Sequence, residues 1–468
     1  MDPLYPYVLG AFYRVWGRDL LAARLLNVAF SAASCLLVGL LGRRLGGPRV
    51  GLVAALGFAL YAPELFYVGE IDKTSLSVLL TAAALVLALR PGLGARFGTG
   101  LVLALGALAR ANFLALAPLA ALAFALAPDE PRRRALAGAG VFVLGFVLAL
   151  LPVAWRNHHV AGEWVLTTTQ AGQNFYTGNN AVNPWGAYGA LPFVRGNPHF
   201  EEVDFRTEAE ARAGRPLGPG EVSRFWFAAA FAHMREHPGF AARAFVRKLV
   251  LFWNDFEISD NQDQYLLERH SWVLRLPLLG FGIVAPLALV GALAGLRTRH
   301  EIRLLVGFVL VYCATVVAFF MFSRYRIQVV PALLPLAAVG ATALVAWVRA
   351  GQWQRSTGAV AVALAAGAFS FHSFDVFSRH DPQVNEIRLR HLADAYLKAG
   401  QPGRAVAAYE EAIRGCPLRC RGALEELTSL YLRAGRAADA ERWLETFVRA
   451  HPEQPEGPRQ LARVRAAR

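Results

Sequence analysis

Lysine is almost missing from this chain: Lys73, Lys248 and Lys398 are the only lysines among its 48 basic residues. Charge of either sign is scarce, with 18% of the 468 residues ionisable against 55% hydrophobic. That balance excludes an ordinary soluble domain. The net charge of +14 is spread between apolar runs and gathers into no basic patch, which excludes a nucleic-acid partner. Four cysteines are too few for a disulfide-built scaffold. Cys35 and Cys313 fall inside apolar runs, as packing residues do. Cys416 and Cys420 are spaced to close a small disulfide if that region is extracytoplasmic, and offer too few ligands for a metal. A soluble nucleotide-sugar site, marked by a DxD-type acidic cluster in a globular segment, is also lacking. Residues 1–18 have no basic leader and no clean apolar core, so they are no signal peptide; their interleaved aromatic and polar residues suit a helix lying in a membrane interface.

What the chain has in abundance is apolar runs long enough to cross a bilayer. About ten are expected: 20–41, 50–66, 76–89, 97–108, 113–127, 135–155, 272–296, 304–322, 327–348 and 358–371. Counting 97–127 as two spans puts Arg132, Arg133 and Arg134 on the same side as Arg43, Arg44, Arg49, Arg90, Arg96, Arg297, Arg299, Arg303, Arg349 and Arg355, as cytoplasmic loops require. The segments are thus 1–18 at the interface, about six spans in 19–155, an extracytoplasmic loop domain over 156–271, about four spans in 272–378, and a charged helical tail over 386–468. The fold class is an all-α polytopic membrane protein with a mixed loop domain and a C-terminal repeat.

The same parity places several polar islands on the outer face. Glu70, Asp72 and Lys73 sit between two apolar runs, where ionisable groups must pair, coordinate or face water; a lysine snorkelling to headgroups is the plainer reading. Arg110, Arg324, Tyr325 and Arg326 lie at outer span ends, where interfacial anchors are common. Together with Lys73 they offer a cationic rim for a phosphate or pyrophosphate, since arginine presents a planar fork of donors. In the outer loop, 156–186 is rich in Gly, Asn and Thr with Tyr and Trp, which reads as ordered loop and short strands. Its Asn174, Tyr176 and Asn179 suit sugar hydroxyls and ring faces as well as ordinary turns. Two helices are expected over 219–237 and 240–254, the second carrying Arg243, Arg247 and Lys248 toward anionic headgroups. Asp255, Glu257, Asp260 and Asp263 follow, at no calcium-loop spacing.

In the tail, Tyr396, Gly400, Ala405, Tyr409 and Pro417 recur 35 residues later as Tyr431, Gly435, Ala440, Leu444 and Pro452. That offset is close to the tetratricopeptide period of paired helices. Two repeats are few for an independent solenoid, so packing against the membrane part or a protein partner is expected.

Several ordered motifs carry a family resemblance. PLYPYVLGAFYRVWG, GRRLGG, LYAPELFYVGEIDKTSLSVLL and LGALARANFLAL, then NFYTGNN, RKLVLFWNDFEISDNQD and SRYRIQVVPALL, resemble membrane glycosyltransferases of the GT-C class, in particular the dolichyl-phosphate-mannose protein mannosyltransferase-like family 39 with a tetratricopeptide tail. The resemblance implies an enzyme of the bacterial inner membrane that transfers a sugar from a polyprenyl-phosphate donor to a protein or glycan acceptor at the outer face. It implies cationic groups at the leaving phosphate, for which Lys73, Arg324, Arg326 and Arg110 are the candidates. Glu70 and Asp72 would orient Lys73 or hold a divalent metal ion; no other cofactor is implied. Asn174, Tyr176 and Asn179 would meet the sugar. In the family a first span and a loop with the catalytic acid precede the segment matching PLYPY; here only Met1 and Asp2 do, so the catalytic acid is left unassigned and an upstream start or an inactive truncated relative is expected. A lipid-linked-sugar carrier, and a non-enzymatic scaffold recruiting partners through its tail, are the alternatives.

Overall fold

The structure, a computed structural model, describes residues 2–127, 130–183, 186–188, 191–194, 198–260, 263–374, 382–415 and 421–467. Cys416, Pro417 and Cys420 lie outside them. The described residues form helices and turns, with two isolated bridges, Tyr61 to Leu279 and Ala187 to Met321, as the extended pairings. The protein is an all-α polytopic membrane protein. Leu20–Gly46, Arg132–Val160, His300–Ala318 and Ser323–Arg349 are long and apolar enough to cross a membrane, and Pro48–Ala59, Thr74–Ala88, Leu93–Ala109, Ala111–Ala125 and Phe281–Gly295 are shorter apolar helices. Leucines such as Leu21, Leu36, Leu122 and Leu293 face outward from them, as lipid-facing side chains do.

Two compact units emerge. The first comprises 1–260 and 274–372, the second 261–273 and 373–468. In the first, Leu93–Ala109 packs on Arg132–Ala161, Leu20–Gly46 on Pro48–Ala59, and Phe281–Gly295 on Val330–Arg349. Small residues allow that last approach. A Cβ on Gly291 would lie 1.9 Å from the Leu336 carbonyl oxygen, and one on Gly340 2.3 Å from that of Leu287. The segment 97–127 breaks where two spans are expected: Leu93–Ala109 ends at Arg110, in extended backbone, and a turn of 3₁₀ helix over Ala111–Ala115 starts the next. The last expected span lies within the helix Trp353–Phe371.

The outer loop departs from expectation. No strand forms in it among the described residues; Asn174 and Tyr176 lie on a short helix, Ala171–Gly178. The amides that suggested strands serve the backbone: Asn179 donates to the carbonyls of Phe175 and Ala318, Asn180 to Tyr176, and Asn183 to Thr177 and Ala187. Side-chain amides that satisfy carbonyls locally compete with a ladder. The helix Pro198–Ala213 and the helix Pro219–Glu236 close over a small aromatic core of Trp226, Phe205 and Phe193, with Tyr176 against it.

The loop also ends earlier than its expected boundary at 271. Residues 263–273 fold with the C-terminal unit, because the buried Asp263 carboxylate pairs with Arg388 at 2.7 Å and Arg388 lies over the Tyr265 ring. That unit pairs Pro382–Lys398 with Pro402–Gly415 and Arg421–Arg433 with Ala437–Ala450, and adds Glu456–Ala466. The 35-residue offset has a structural counterpart: Gly400 and Gly435 both turn the chain at positive φ, and Ala405 and Ala440 are both buried where helices meet.

Candidate functional site

The polar islands meet at one end of the membrane helices. Asp72 accepts from the backbone N–H and hydroxyl of Thr74 at 2.7 and 2.8 Å, a local turn that fixes the entry to Thr74–Ala88. The Thr74 hydroxyl in turn accepts from Arg110 at 2.9 Å, which ties the break after Leu93–Ala109 to that helix start. The loop before Asp72 is pinned from Leu20–Gly46: Asn27 donates to the Glu70 carbonyl at 2.6 Å and Arg24 to the Gly69 carbonyl at 2.9 Å. Asn27 also accepts from the hydroxyl of Tyr5, which fastens the first helix, Leu4–Trp16.

Lys73 pairs with Asp2. Burial holds the Lys73 ammonium below the usual lysine range, the Arg110 charge adds to that, and Asp2 opposes both. Arg324 pairs with Asp260 at 2.7 Å. The ring of Tyr325 joins the two arginines, with the Arg110 guanidinium 5.4 Å and that of Arg324 5.3 Å from its centroid. Lys73, Arg110 and Arg324 thus form one cationic cluster. Arg110 stands out within it. The residue is 2% exposed, yet meets only a hydroxyl and a ring, no carboxylate among the described residues, and its Nε has no hydrogen-bond partner. A buried charge without a counter-charge is costly, and one kept in a fold points to an anion that completes it. The Nε of Arg324 and the hydroxyl of Tyr312 are also buried and unpartnered.

The Glu70 carboxyl is raised above the usual range by burial and then by the neighbouring Asp72 charge, with Arg24 opposing. Among the described residues no three His, Cys, Asp or Glu side chains gather as a metal site.

The structure does not bring Arg326 to the cluster. It is 1% exposed and pairs with Glu257 at 2.5 Å. Its donors also reach the carbonyls of Phe252, Asn254 and Phe256, and its guanidinium lies 4.1 Å from the Phe281 centroid. Those carbonyls end or follow the helix Pro238–Trp253, so Arg326 is a C-terminal cap and a lock. Two of the loop trio are engaged elsewhere. The Asn179 amide is consumed by two carbonyls and by the Lys248 ammonium at 2.8 Å, and the Tyr176 ring packs tilted against Trp226 with centroids 4.5 Å apart. Asn174 is half-buried on the same helix. Lys248 itself is 1% exposed, so it does not serve the headgroup-binding face expected of its helix. Three acids of 255–263 are counter-charges, Glu257 to Arg326, Asp260 to Arg324 and Asp263 to Arg388, while Asp255 accepts from the Gly282 N–H.

Asp2, Thr74 and Asp260 contact the cationic cluster, and the sequence left them without a role. Asp260 carried a signal, an acid in a run of acids near an outer arginine pair; Asp2 and Thr74 carried none.

Residues 2–155 match the family model of dolichyl-phosphate-mannose-protein mannosyltransferases. The mannosyltransferase-like segment holds Asp2, Asp72, Lys73, Thr74 and Arg110 and stops before Arg324. Two solved structures are similar at a distance. Archaeal oligosaccharyltransferase AglB from Archaeoglobus fulgidus, solved with an inhibitory peptide and a dolichol-phosphate, is 14% identical, with a TM-score of 0.40, over 84% of this chain and 51% of that one. ArnT from Cupriavidus metallidurans in the apo state is 15% identical, with a TM-score of 0.29, over 73% of this chain and 67% of that one. The chain therefore spans about half the length of AglB. No curated protein matches it.

Proposed function

We propose that this protein is a membrane glycosyltransferase that takes its sugar from a polyprenyl-phosphate carrier, with the carrier phosphate held by Arg110, Arg324 and Lys73. The observation that carries the reading is Arg110, a buried guanidinium that meets no carboxylate among the described residues, set beside two further cations at a membrane-helix end. Two guanidinium edges and an ammonium suit the oxygens of a phosphate. When the glycosidic bond breaks, negative charge grows on the leaving phosphate, and preorganised cations lower the barrier by meeting it there. Asp2 and Asp260 hold Lys73 and Arg324 in position, and Asp72 holds Arg110 through Thr74. A divalent ion at Glu70 and Asp72 would draw on only two carboxylates. The half-buried Asn174 remains the loop side chain that can reach a sugar.

The family match over 2–155 supports a lipid-linked donor and a multi-pass enzyme. Under the arginine distribution the cluster faces outward, in a bacterial inner membrane, with a protein or glycan acceptor arriving from that side. The tetratricopeptide-like unit, with its protein partner, is assigned to the same outer face as part of this proposal.

The test is a transfer assay on the purified protein with a polyprenyl-phosphate sugar, following release of polyprenyl phosphate. Arg110→Gln and Arg324→Gln each lower the rate by about tenfold or more, while Arg43→Gln, at the far end of Leu20–Gly46, leaves it unchanged. Wild-type rates in both cluster variants overturn the reading.

A further inference from the structure

An apolar cavity lies at the other end of Thr74–Ala88 from Lys73. The helices Thr74–Ala88, Leu93–Ala109, Leu116–Ala125 and His300–Ala318 enclose a cavity of about 250 Å³. Leu85, Leu103, Leu119 and Phe124 give it an apolar wall. The two threonines on that wall, Thr81 and Thr99, already donate their hydroxyls to carbonyls of their own helices, at 3.0 and 2.8 Å. Nothing polar inside asks for a polar ligand. The lining includes two cationic or titratable side chains, His300 and Arg303, both in the first turn of His300–Ala318. Arg303 is exposed and, among the described residues, neither meets a carboxylate. The acids nearby serve other arginines: Glu130 pairs with Arg96 at 2.7 Å, and Glu301 with Arg44 at 3.9 Å.

We propose that the cavity holds an apolar chain of an anionic bilayer phospholipid whose headgroup rests on Arg303 and His300. Basic residues at the mouth of an apolar slot between membrane helices are a recognised match for such lipids. The donor carrier is a poor fit to this mouth. Lys73 precedes the first residue of Thr74–Ala88, whereas Leu85 and Ala88 line the cavity at the other end of that helix. At 1.5 Å per residue the two ends are about 20 Å apart, so one phosphate cannot serve both sets of cations. The site is therefore additional to the proposed donor site and does not depend on it.

Native mass spectrometry of the detergent-purified full chain, titrated with phosphatidylglycerol and with phosphatidylcholine, tests this. Wild type binds one phosphatidylglycerol in preference to phosphatidylcholine. The double variant Arg303→Gln, His300→Gln binds phosphatidylglycerol about tenfold more weakly and loses the preference. Ala120→Phe, which fills the cavity, loses the bound lipid while an unchanged thermal midpoint reports that it folds; should it not fold, the double variant decides alone. Wild-type phosphatidylglycerol binding in the double variant overturns the proposal. So does stoichiometric displacement of phosphatidylglycerol by polyprenyl monophosphate, which would assign the cavity to the donor chain.

Discussion

Arg324 and Arg326 stand two residues apart on one short helix, both turned in from solvent, and they do opposite work. Arg326 has every edge occupied, by Glu257, by the carbonyls after Pro238–Trp253 and by the Phe281 face. Arg324 keeps an unpartnered Nε and shares the Tyr325 ring with Arg110, which meets no carboxylate among the described residues. The contrast separates a cation that holds the fold from cations that wait for an anion. Burial alone does not distinguish them; the tally of donors left over does.

The sharpest way to break that contrast is at the lock. Arg326→Ala leaves Glu257 buried without its partner, and the loss is on the order of 3–5 kcal/mol. The thermal midpoint in detergent should fall by many degrees, and a midpoint near wild type would show that Arg326 is not structural. Next in size is the functional pair. If the proposed phosphate site is right, Arg324→Gln removes one charge-assisted contact, on the order of 1.5–3 kcal/mol, so donor KM or kcat suffers while stability moves far less. Equal losses of stability in Arg324→Gln and Arg326→Ala would erase the distinction.

A smaller effect is expected at Lys73. Its ammonium loses its proton below the usual lysine range, so donor binding should weaken with rising pH earlier than for an ordinary lysine. Lys73→Arg should carry that alkaline limb to higher pH, and an unmoved limb would remove Lys73 from the site. The smallest effect belongs to Lys248, which burial brings down from 10.5 to about 8. Between about pH 8 and 10.5 the unfolded chain keeps a proton that the folded one has shed, so stability rises with pH across that window. Lys248→Met should flatten the rise.

The helical plan was legible because apolar runs and arginine sidedness are strong signals. The break at Arg110 was legible from charge counting alone, and the meeting of Lys73, Arg110 and Arg324 from placing polar islands on one side. The roles within those islands were not. Arg326 looks like Arg324 in sequence, and only the neighbouring carbonyls tell them apart. Asn179 looked like a sugar ligand because amides suit hydroxyls, yet the same chemistry satisfies its own backbone. Within the basic stripe on 240–254, Lys248 departs for a similar reason, since it points inward to that same amide while Arg243 stays exposed. The capture of 263–273 by the C-terminal helices involves long-range contacts such as Asp263 with Arg388 and Arg388 over the Tyr265 ring, which no local pattern announces.

The central claim, that Arg110 is an incomplete cation awaiting a phosphate, is tested most directly by the thermal midpoint of wild type and Arg110→Gln with and without polyprenyl monophosphate. The account predicts that the lipid raises the wild-type midpoint, that Arg110→Gln without lipid is at least as stable as wild type, and that it gains little from the lipid. An Arg110→Gln protein that starts markedly less stable, or that the lipid stabilises as much as wild type, would contradict it.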